Sequence, residues 1–370
     1  MRISIPAAVL AGCTTALLFQ PTVAAADNAA APAPRTSAGG GSVTSVALTS
    51  GGAVAPRATR SFELLGVVWD GSPKALAGGS VRVRTRDAAT GRWGDWHTLE
   101  ADSVDGPDSL PHGGTAPLWA GRSNGVAVDV HPGPAGLPHG LRVELVDPGQ
   151  GAASVETQPM PERPAGPEAL SAPRPGIVTR AGWGADESIR EPGFVYTGAV
   201  RVTFLHHTAT ATDYACSDAP RIIRSIYQYH VQSNGWRDIG YNFLVDHCGT
   251  IYEGRAGGVD QPVLGAHTLG FNTNSSGIAA IGTFSSDNPP QELQDGLAKI
   301  AAWKLGLTGR QADGVSQLTS ASDSSLYPKG TTVDFAPISG HRDGFATECP
   351  GDALYHRLPA IRDTAAALQR

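Results

Sequence analysis

The sequence contains no run of basic residues and no internal repeat. With 28 Lys and Arg against 34 Asp and Glu, the formal net charge is −6, so the chain has no strong cationic field to attract nucleic acid. The Gly-x-Ser-x-Gly match from Gly121 to Gly125 is followed directly by the strand candidate at 126–130 and not by a helix, so it does not form the nucleophile elbow of a serine hydrolase. We therefore expect no nucleic-acid partner and no serine nucleophile of this type.

The N-terminus has the features of an export signal. Arg2 precedes an apolar run over residues 3–18, and a stretch of small residues follows. The run is too short, and too interrupted by proline and glycine, to be a good membrane span. We predict a signal peptide over residues 1–26, a secreted, cell-wall-associated protein, and no integral membrane segment after signal removal. Lipidation at Cys13, within a short lipoprotein-like sequence, is the alternative.

Composition divides the rest of the chain into two folded units and two linkers. Residues 27–57 are mostly Ala, Gly, Ser, Thr and Pro, which predicts a disordered linker. Residues 58–148 contain short period-two runs, such as 81–86, between turn-forming residues, and these predict a smaller all-β, sandwich-like domain of unreadable function. Residues 149–175 are rich in proline and predict an interdomain linker. The second domain is expected to occupy residues 176–370.

Helical and strand patterns alternate in this second domain, which predicts an α/β fold. Asp218 can cap a helix that has Pro220 in its first turn and isoleucines on one face. Another helix is predicted from about Pro290 to Leu305, ended by Gly306. Apolar strand candidates, including Val200 to Leu205, lie between the helices.

Three cysteines remain if the leader is removed, and an odd number in an oxidising compartment leaves one thiol to be explained. They are Cys216, Cys248 and Cys349. A disulfide between the first two would leave Cys349 as a free thiol. Metal ligation is one way to keep a lone thiolate reduced.

Histidines in two distant segments offer further metal ligands. An apolar strand ends in His206 and His207, and a rigid strand end is a good place to present a ligand. His341 and Cys349 lie eight residues apart around a loop containing Gly344. Two histidines and one cysteine would form a three-ligand zinc site with an open fourth position, the catalytic arrangement. The alternative is a set of packed core residues without metal.

Six ordered sequence blocks together resemble the family of peptidoglycan recognition proteins and type-2 N-acetylmuramoyl-L-alanine amidases. The resemblance covers residues 176–370, about half of the chain. The blocks are IVTRAGWGA from Ile177, FLHHTA from Phe204, DIGYNFLV from Asp238, GTIYEGR from Gly249, GAHTLGFN from Gly265, and the segment from His341 to Cys349. This resemblance implies an α/β domain with a central mixed β-sheet flanked by helices.

The resemblance also assigns roles to individual residues. It implies a Zn²⁺ site formed by His206, His341 and Cys349. Tyr241 falls on the catalytic tyrosine, whose hydroxyl reaches the attacking water, and Thr347 falls on a position that contacts the oxyanion. The candidates for substrate binding are His267, Asn272, Trp183 and His207, of which Trp183 could instead pack in the core and His207 could instead be structural.

The family implies a secreted zinc hydrolase that cleaves the amide between N-acetylmuramic acid and L-alanine in bacterial peptidoglycan. The alternative is a non-catalytic recognition protein, but such members typically lack one of the ligands that are all present here. A monomer is expected. A Cys216–Cys248 disulfide would tie the Asp218-capped helix to the sheet. The sequence departs from the family at Ala256-Gly257-Gly258, so specificity for the stem peptide cannot be transferred.

Overall fold

The computed structural model describes Met1 and residues 35–36, 40–100, 112–150 and 172–370. The predicted signal peptide, apart from Met1, and most of the predicted linker at 149–175 lie outside the described residues. Within the described part of the chain, no helix has the length and apolar character needed to cross a membrane.

The N-terminal domain is all-β, as predicted. Its described strands form one antiparallel sheet in the order β1-β2-β8-β3-β7-β4-β5, with β6 added beside β3. The strands are β1 (Arg35–Thr36), β2 (Ser42–Ala47), β3 (Ala53–Asp70), β4 (Ser80–Asp87), β5 (His97–Leu99), β6 (His112–Gly114), β7 (Leu118–His131) and β8 (Arg142–Asp147), with a 3₁₀ turn at Pro73–Leu76.

The sheet folds around its own core instead of forming two separately paired sheets. The pairing of β3 with β7 shifts register at several points between Val54 and Leu64, and such bulges bend a strand. Alternate residues of the long strands then meet on one face, where Leu65, Val67 and Val128 are almost completely buried. The described strands are thus hydrogen-bonded into one sheet that encloses a core, in agreement with the predicted all-β, sandwich-like domain.

The predicted disordered linker over residues 27–57 is wrong for its second half. β2 pairs with β8 along its whole length, and β3 begins at Ala53. The prediction relied on the scarcity of large apolar side chains. A strand next to an existing sheet needs mainly backbone hydrogen bonds and one buried face, which Val43 and Val54 supply here.

The C-terminal domain has a central mixed sheet flanked by helices, as the family resemblance implies. The sheet order is β16-β10-β13-β11-β12-β9, and β14 and β15 form a separate hairpin. The strands are β9 (Ile177–Val178), β10 (Val202–His207), β11 (Phe243–Val245), β12 (Ile251–Glu253), β13 (Ser275–Ala280), β14 (Ser316–Thr319), β15 (Thr332–Phe335) and β16 (Ile338–Gly340). The helices are α1 (Arg180–Trp183), α2 (Ala219–Gln228), α3 (Gln291–Gly306), α4 (Asp352–Tyr355) and α5 (Leu358–Leu368), with a π-helical turn at Tyr229–Ser233 and 3₁₀ turns at Cys216–Asp218 and His341–Asp343.

The two predicted helices form close to the expected positions. α3 spans Gln291–Gly306, and its Leu293, Leu297 and Ile300 are buried against one face of the sheet. α2 starts one residue after Asp218 and has Pro220 in its first turn, where a missing N–H costs nothing. Its isoleucines point away from solvent.

The two domains share a hydrophobic core. Leu64, Val68 and Val146 lie on the outer face of the N-terminal sheet and pack with the isoleucines of α2. The Tyr229 ring fits over Gly66, where a Cβ atom would lie 2.3 Å from the tyrosine oxygen, and its hydroxyl donates to Thr115 O at 3.0 Å. Separating the domains would expose this apolar surface to water.

Candidate metal centre

Sheet register brings His206 and His341 together. β10 lies between the parallel strands β13 and β16, and Leu205 is paired with Gly340. His206 follows Leu205 within β10, and His341 follows Gly340 at the end of β16, so the two histidines lie side by side at the same edge of the sheet. Their ring centroids are 4.5 Å apart. This carboxyl edge of parallel strands is where α/β sheets usually hold their ligands.

A short loop returns Cys349 to the same place. The 3₁₀ turn that starts at His341 is fixed by Asp343, whose carboxylate accepts from Gly340 N at 2.8 Å. Arg342 N donates to Cys349 O at 3.0 Å, which closes the loop. Cys349 Sγ then lies 3.8 Å from His206 Nδ1.

The three residues fit a zinc ion by donor type, spacing and burial. Their donor atoms lie within 4.8 Å of one another, and all three residues are 0% exposed. Burial, with a smaller effect from His207, lowers the pKa of His206 to about 3, so its imidazole is neutral, the form that binds metals. The His207 amide donates toward Cys349 Sγ at 3.4 Å, a contact that favours thiolate.

The other side of the His206 ring is held by two neighbours. Nε2 lies 3.3 Å from His267 Nδ1 and 3.4 Å from Thr268 Oγ1. Nδ1 is therefore the nitrogen that faces the cysteine sulfur. Hydrogen-bonding partners behind a ligand fix its orientation, and sequence reasoning did not identify Thr268 in this role.

The predicted disulfide between Cys216 and Cys248 is confirmed, with the two Cα atoms 6.3 Å apart. It joins the turn that precedes α2 to the turn that follows β11. His247 lies near both sulfurs, but the disulfide consumes them, so this group has no thiolate to offer a metal. Cys349 lies outside the disulfide, as the odd cysteine count predicts.

Tyr241 lies beside the metal ligands. Its ring centroid is 5.5 Å from that of His206, and the residue is 4% exposed. On its other side it packs against His230, at 5.7 Å. His230 is held in the π-helical turn, where its Nδ1 accepts from Gly240 N at 3.1 Å. The sequence showed His230 only as one more histidine near a helix end, which is no signal of a role in positioning Tyr241.

Thr347 lies in the loop that carries Cys349. Its Oγ1 accepts from Cys349 N at 3.2 Å, and the side chain is only partly buried. Because the hydroxyl acts as acceptor in this contact, its own proton stays available for another oxygen.

His267 is packed against His206 and is 0% exposed. Burial is the main cause that lowers its pKa well below the usual value, and the neighbouring His206 and His341 act in the same direction. His267 lies behind the metal ligand His206, with its Nδ1 3.3 Å from His206 Nε2. Its contact with substrate stays a prediction.

Two other candidates for substrate binding, Trp183 and Asn272, are buried in the described structure, and Trp183 takes the core position that was its alternative. Trp183 is 0% exposed and donates to Glu253 O within the core. Asn272 is 1% exposed, and its Oδ1 accepts from the backbone N–H groups of His267 and Thr268, which shapes their loop. Family position identified both residues, but position does not show which way a side chain points.

His207 points away from His206, as neighbouring residues of a strand do. It is 2% exposed, and its Nδ1 accepts from Phe284 N at 3.3 Å, so it takes the structural role that was the alternative prediction. Its Nε2 lies 3.6 Å from a carboxylate oxygen of Glu100 in the N-terminal domain. Burial opposes ionisation of Glu100, yet His207 and Arg342 hold the pKa of this carboxyl below its usual value.

Comparison with known proteins shows which family the chain belongs to. The C-terminal region shares 31% identity over 185 residues with peptidoglycan-recognition protein SC2 of Drosophila simulans, covering 49% of this chain and 84% of that protein. The chain belongs to the family of peptidoglycan recognition proteins and N-acetylmuramoyl-L-alanine amidases. The family described as N-acetylmuramoyl-L-alanine amidase matches residues 196–352. A family described as Rv3811 N-terminal galactose-binding domain-like matches residues 21–167.

Two other relatives are matched over a smaller share of their own length. The human N-acetylmuramoyl-L-alanine amidase is 32% identical over 191 residues, which covers 50% of this chain but 28% of that protein. Peptidoglycan-recognition protein LE of Drosophila melanogaster is 40% identical over 123 residues, or 33% of each chain. This chain thus spans about a third of these two relatives or less.

Among solved structures, wild-type Drosophila PGRP-LB is 26% identical and has a TM-score of 0.39, covering 50% of this chain and 92% of that one. A TM-score this low carries no weight in assigning a function.

Proposed function

We propose that the protein is a zinc-dependent hydrolase that cleaves the amide between N-acetylmuramic acid and L-alanine in bacterial peptidoglycan. The observation that carries this proposal is the buried set of His206, His341 and Cys349, with the Tyr241 ring 5.5 Å from His206. Three protein ligands leave one position of a tetrahedral zinc open, which is the arrangement of catalytic sites. The relatives named as amidases support the choice of bond.

Amide hydrolysis needs a nucleophile at neutral pH, a stabilised oxyanion and a proton for the departing amine. A zinc ion held by His206, His341 and Cys349 would supply the first two, by lowering the pKa of a water molecule to about 7 and by polarising a carbonyl oxygen. Tyr241 would orient the attacking water and pass a proton toward the departing amine nitrogen. Thr347 donates its hydroxyl proton to the oxyanion, since its oxygen is already used as the acceptor for Cys349 N.

The alternative function is recognition of peptidoglycan without cleavage. It requires no metal and no tyrosine hydroxyl beside the ligands. The complete ligand set favours catalysis, because a buried cluster of imidazoles and a thiolate is costly to keep without an ion to bind. Under either function, we propose that the protein is exported, acts at the cell wall and is a monomer.

Digestion of purified peptidoglycan by the full chain tests this proposal. We expect release of stem peptides with a new L-alanine N-terminus, at one zinc per chain. A chelator should stop the reaction and added zinc should restore it. Binding to the wall without any release, at full zinc occupancy, would favour the recognition function instead.

A further inference from the structure

A cleft of about 540 Å³ lies between the two domains. One wall is formed by β5 and the start of β7 in the N-terminal domain. The opposite wall is the loop from Ala209 to Asp213, together with Thr283, in the C-terminal domain. Its volume lies within the range of small-molecule sites, and a protein with only one of the two domains would not form it.

The lining of the cleft suits a neutral ligand with many hydroxyl groups. Of its five threonines, Thr210, Thr212 and Thr283 use their hydroxyls in hydrogen bonds within the C-terminal domain, which leaves Thr85 and the exposed Thr98 to contact a ligand. Glu100 and Asp213 add carboxylates that can accept hydrogen bonds. The partly buried Leu118 adds an apolar side chain to the lining, whereas Trp119 is only 6% exposed and packs in the core beneath the cleft. Among the described lining residues there is no lysine or arginine, which disfavours phosphate groups and acidic peptides.

The cleft is connected to the metal centre through Glu100 and His207. Glu100 lines the cleft and lies 3.6 Å from His207 Nε2, while His207 directly follows the metal ligand His206. The 209–213 loop leaves the same end of β10 as His206. Because His206 and His207 point to opposite faces of β10, only a ligand longer than one sugar unit could reach both the metal centre and the cleft.

We propose that this cleft binds the glycan strand of the substrate as a run of neutral sugar rings. This proposal rests on the proposed function. In uncut peptidoglycan the lactyl carboxyl of each substituted muramic acid is in an amide, so the strand is uncharged there and its hydroxyl and acetamido groups match the threonines and carboxylates. The N-terminal domain thereby supplies part of the substrate site.

Binding of the N-acetylglucosamine tetramer to the full chain, measured by calorimetry, tests the proposal. Thr98→Trp fills the cleft from one wall, and Asp213→Trp fills it from the other; both positions are exposed, so at least one variant should fold normally. We expect each to weaken tetramer binding at least 10-fold. Thr332→Trp is the matched control, an exposed strand threonine away from the cleft, and should bind like the parent.

Undetectable tetramer binding by the parent, or equal binding by the parent and both cleft variants, would overturn the proposal. A loss of affinity for the free stem peptide in the cleft variants, with tetramer affinity unchanged, would also overturn it, because the cleft would then hold peptide. The assay does not depend on turnover. If tetramer binding requires the cleft but the chain has no amidase activity, only the proposed function is refuted. If the chain has amidase activity but tetramer binding does not require the cleft, only the cleft proposal is refuted.

Discussion

Replacing Tyr241 by phenylalanine should remove a catalytic hydroxyl and leave the rest of the site in place. The ring is 4% exposed and packs between His206 and His230, at centroid distances of 5.5 and 5.7 Å, and phenylalanine keeps both contacts. Zinc content and affinity for substrate should therefore be unchanged. Proton transfer by a positioned side chain contributes about 10²-fold or more, so kcat should fall by at least that factor, or about 2.7 kcal/mol in activation free energy.

The assay for Tyr241→Phe is steady-state release of stem peptide, with zinc measured in each preparation. Tyr252→Phe is a matched control. Tyr252 is a buried tyrosine on β12 of the same sheet, and its hydroxyl donates to Asp246 Oδ2 at 2.9 Å. It should lose about 1 kcal/mol of stability, the usual value of one hydrogen bond, and keep its kcat. A Tyr241→Phe protein as fast as the parent at equal zinc would refute the proton-handling role.

Three further predictions concern the metal, pH and the domain interface. Cys349→Ala should lose zinc and turnover together, measured by metal analysis and stem release. Burial, with a smaller effect from Arg255, lowers the pKa of His230 to about 3, so below pH 6.5 the unfolded state binds a proton that the folded state does not. Between pH 7 and pH 5 the parent should therefore lose about 2 kcal/mol more stability than His230→Gln does, measured by urea unfolding. Gly66→Ala should cost about 1–3 kcal/mol, because its Cβ would overlap the Tyr229 ring.

Each of these predictions has an outcome that contradicts it. Undiminished zinc in Cys349→Ala would remove this cysteine from the site. Identical pH dependence in His230→Gln and the parent would show that His230 is not the group that stays neutral. Gly176→Ala is the control for Gly66→Ala, since its Cβ would meet no atom within 4 Å, and equal stability of the two variants would argue against close packing at the domain interface.

The sequence identified the three candidate ligands, but only the fold shows why they meet. An apolar strand ending in His206 and a loop flanked by His341 and Cys349 are local patterns, and both are present as predicted. Their proximity depends on the pairing of Leu205 with Gly340 across 135 residues of chain, a register that no local pattern determines.

The errors have a common physical origin in tertiary packing. Residues 42–47 have weak strand character alone and become a strand through the ladder with β8. Trp183 and Asn272 occupy family positions near the groove, but their side chains turn inward to bond with backbone groups. Glu100 reaches His207 only because the two domains share a core, so no pattern in residues 58–148 could have identified it.

The most direct test of the central claim is the mass of the products formed from one defined muropeptide. The claim predicts a disaccharide with a free lactyl carboxyl and an intact stem peptide starting at L-alanine, formed by the zinc-loaded chain and absent after chelation. A muropeptide that stays bound but uncut by the zinc-loaded chain, or a cut within the stem peptide, would contradict it.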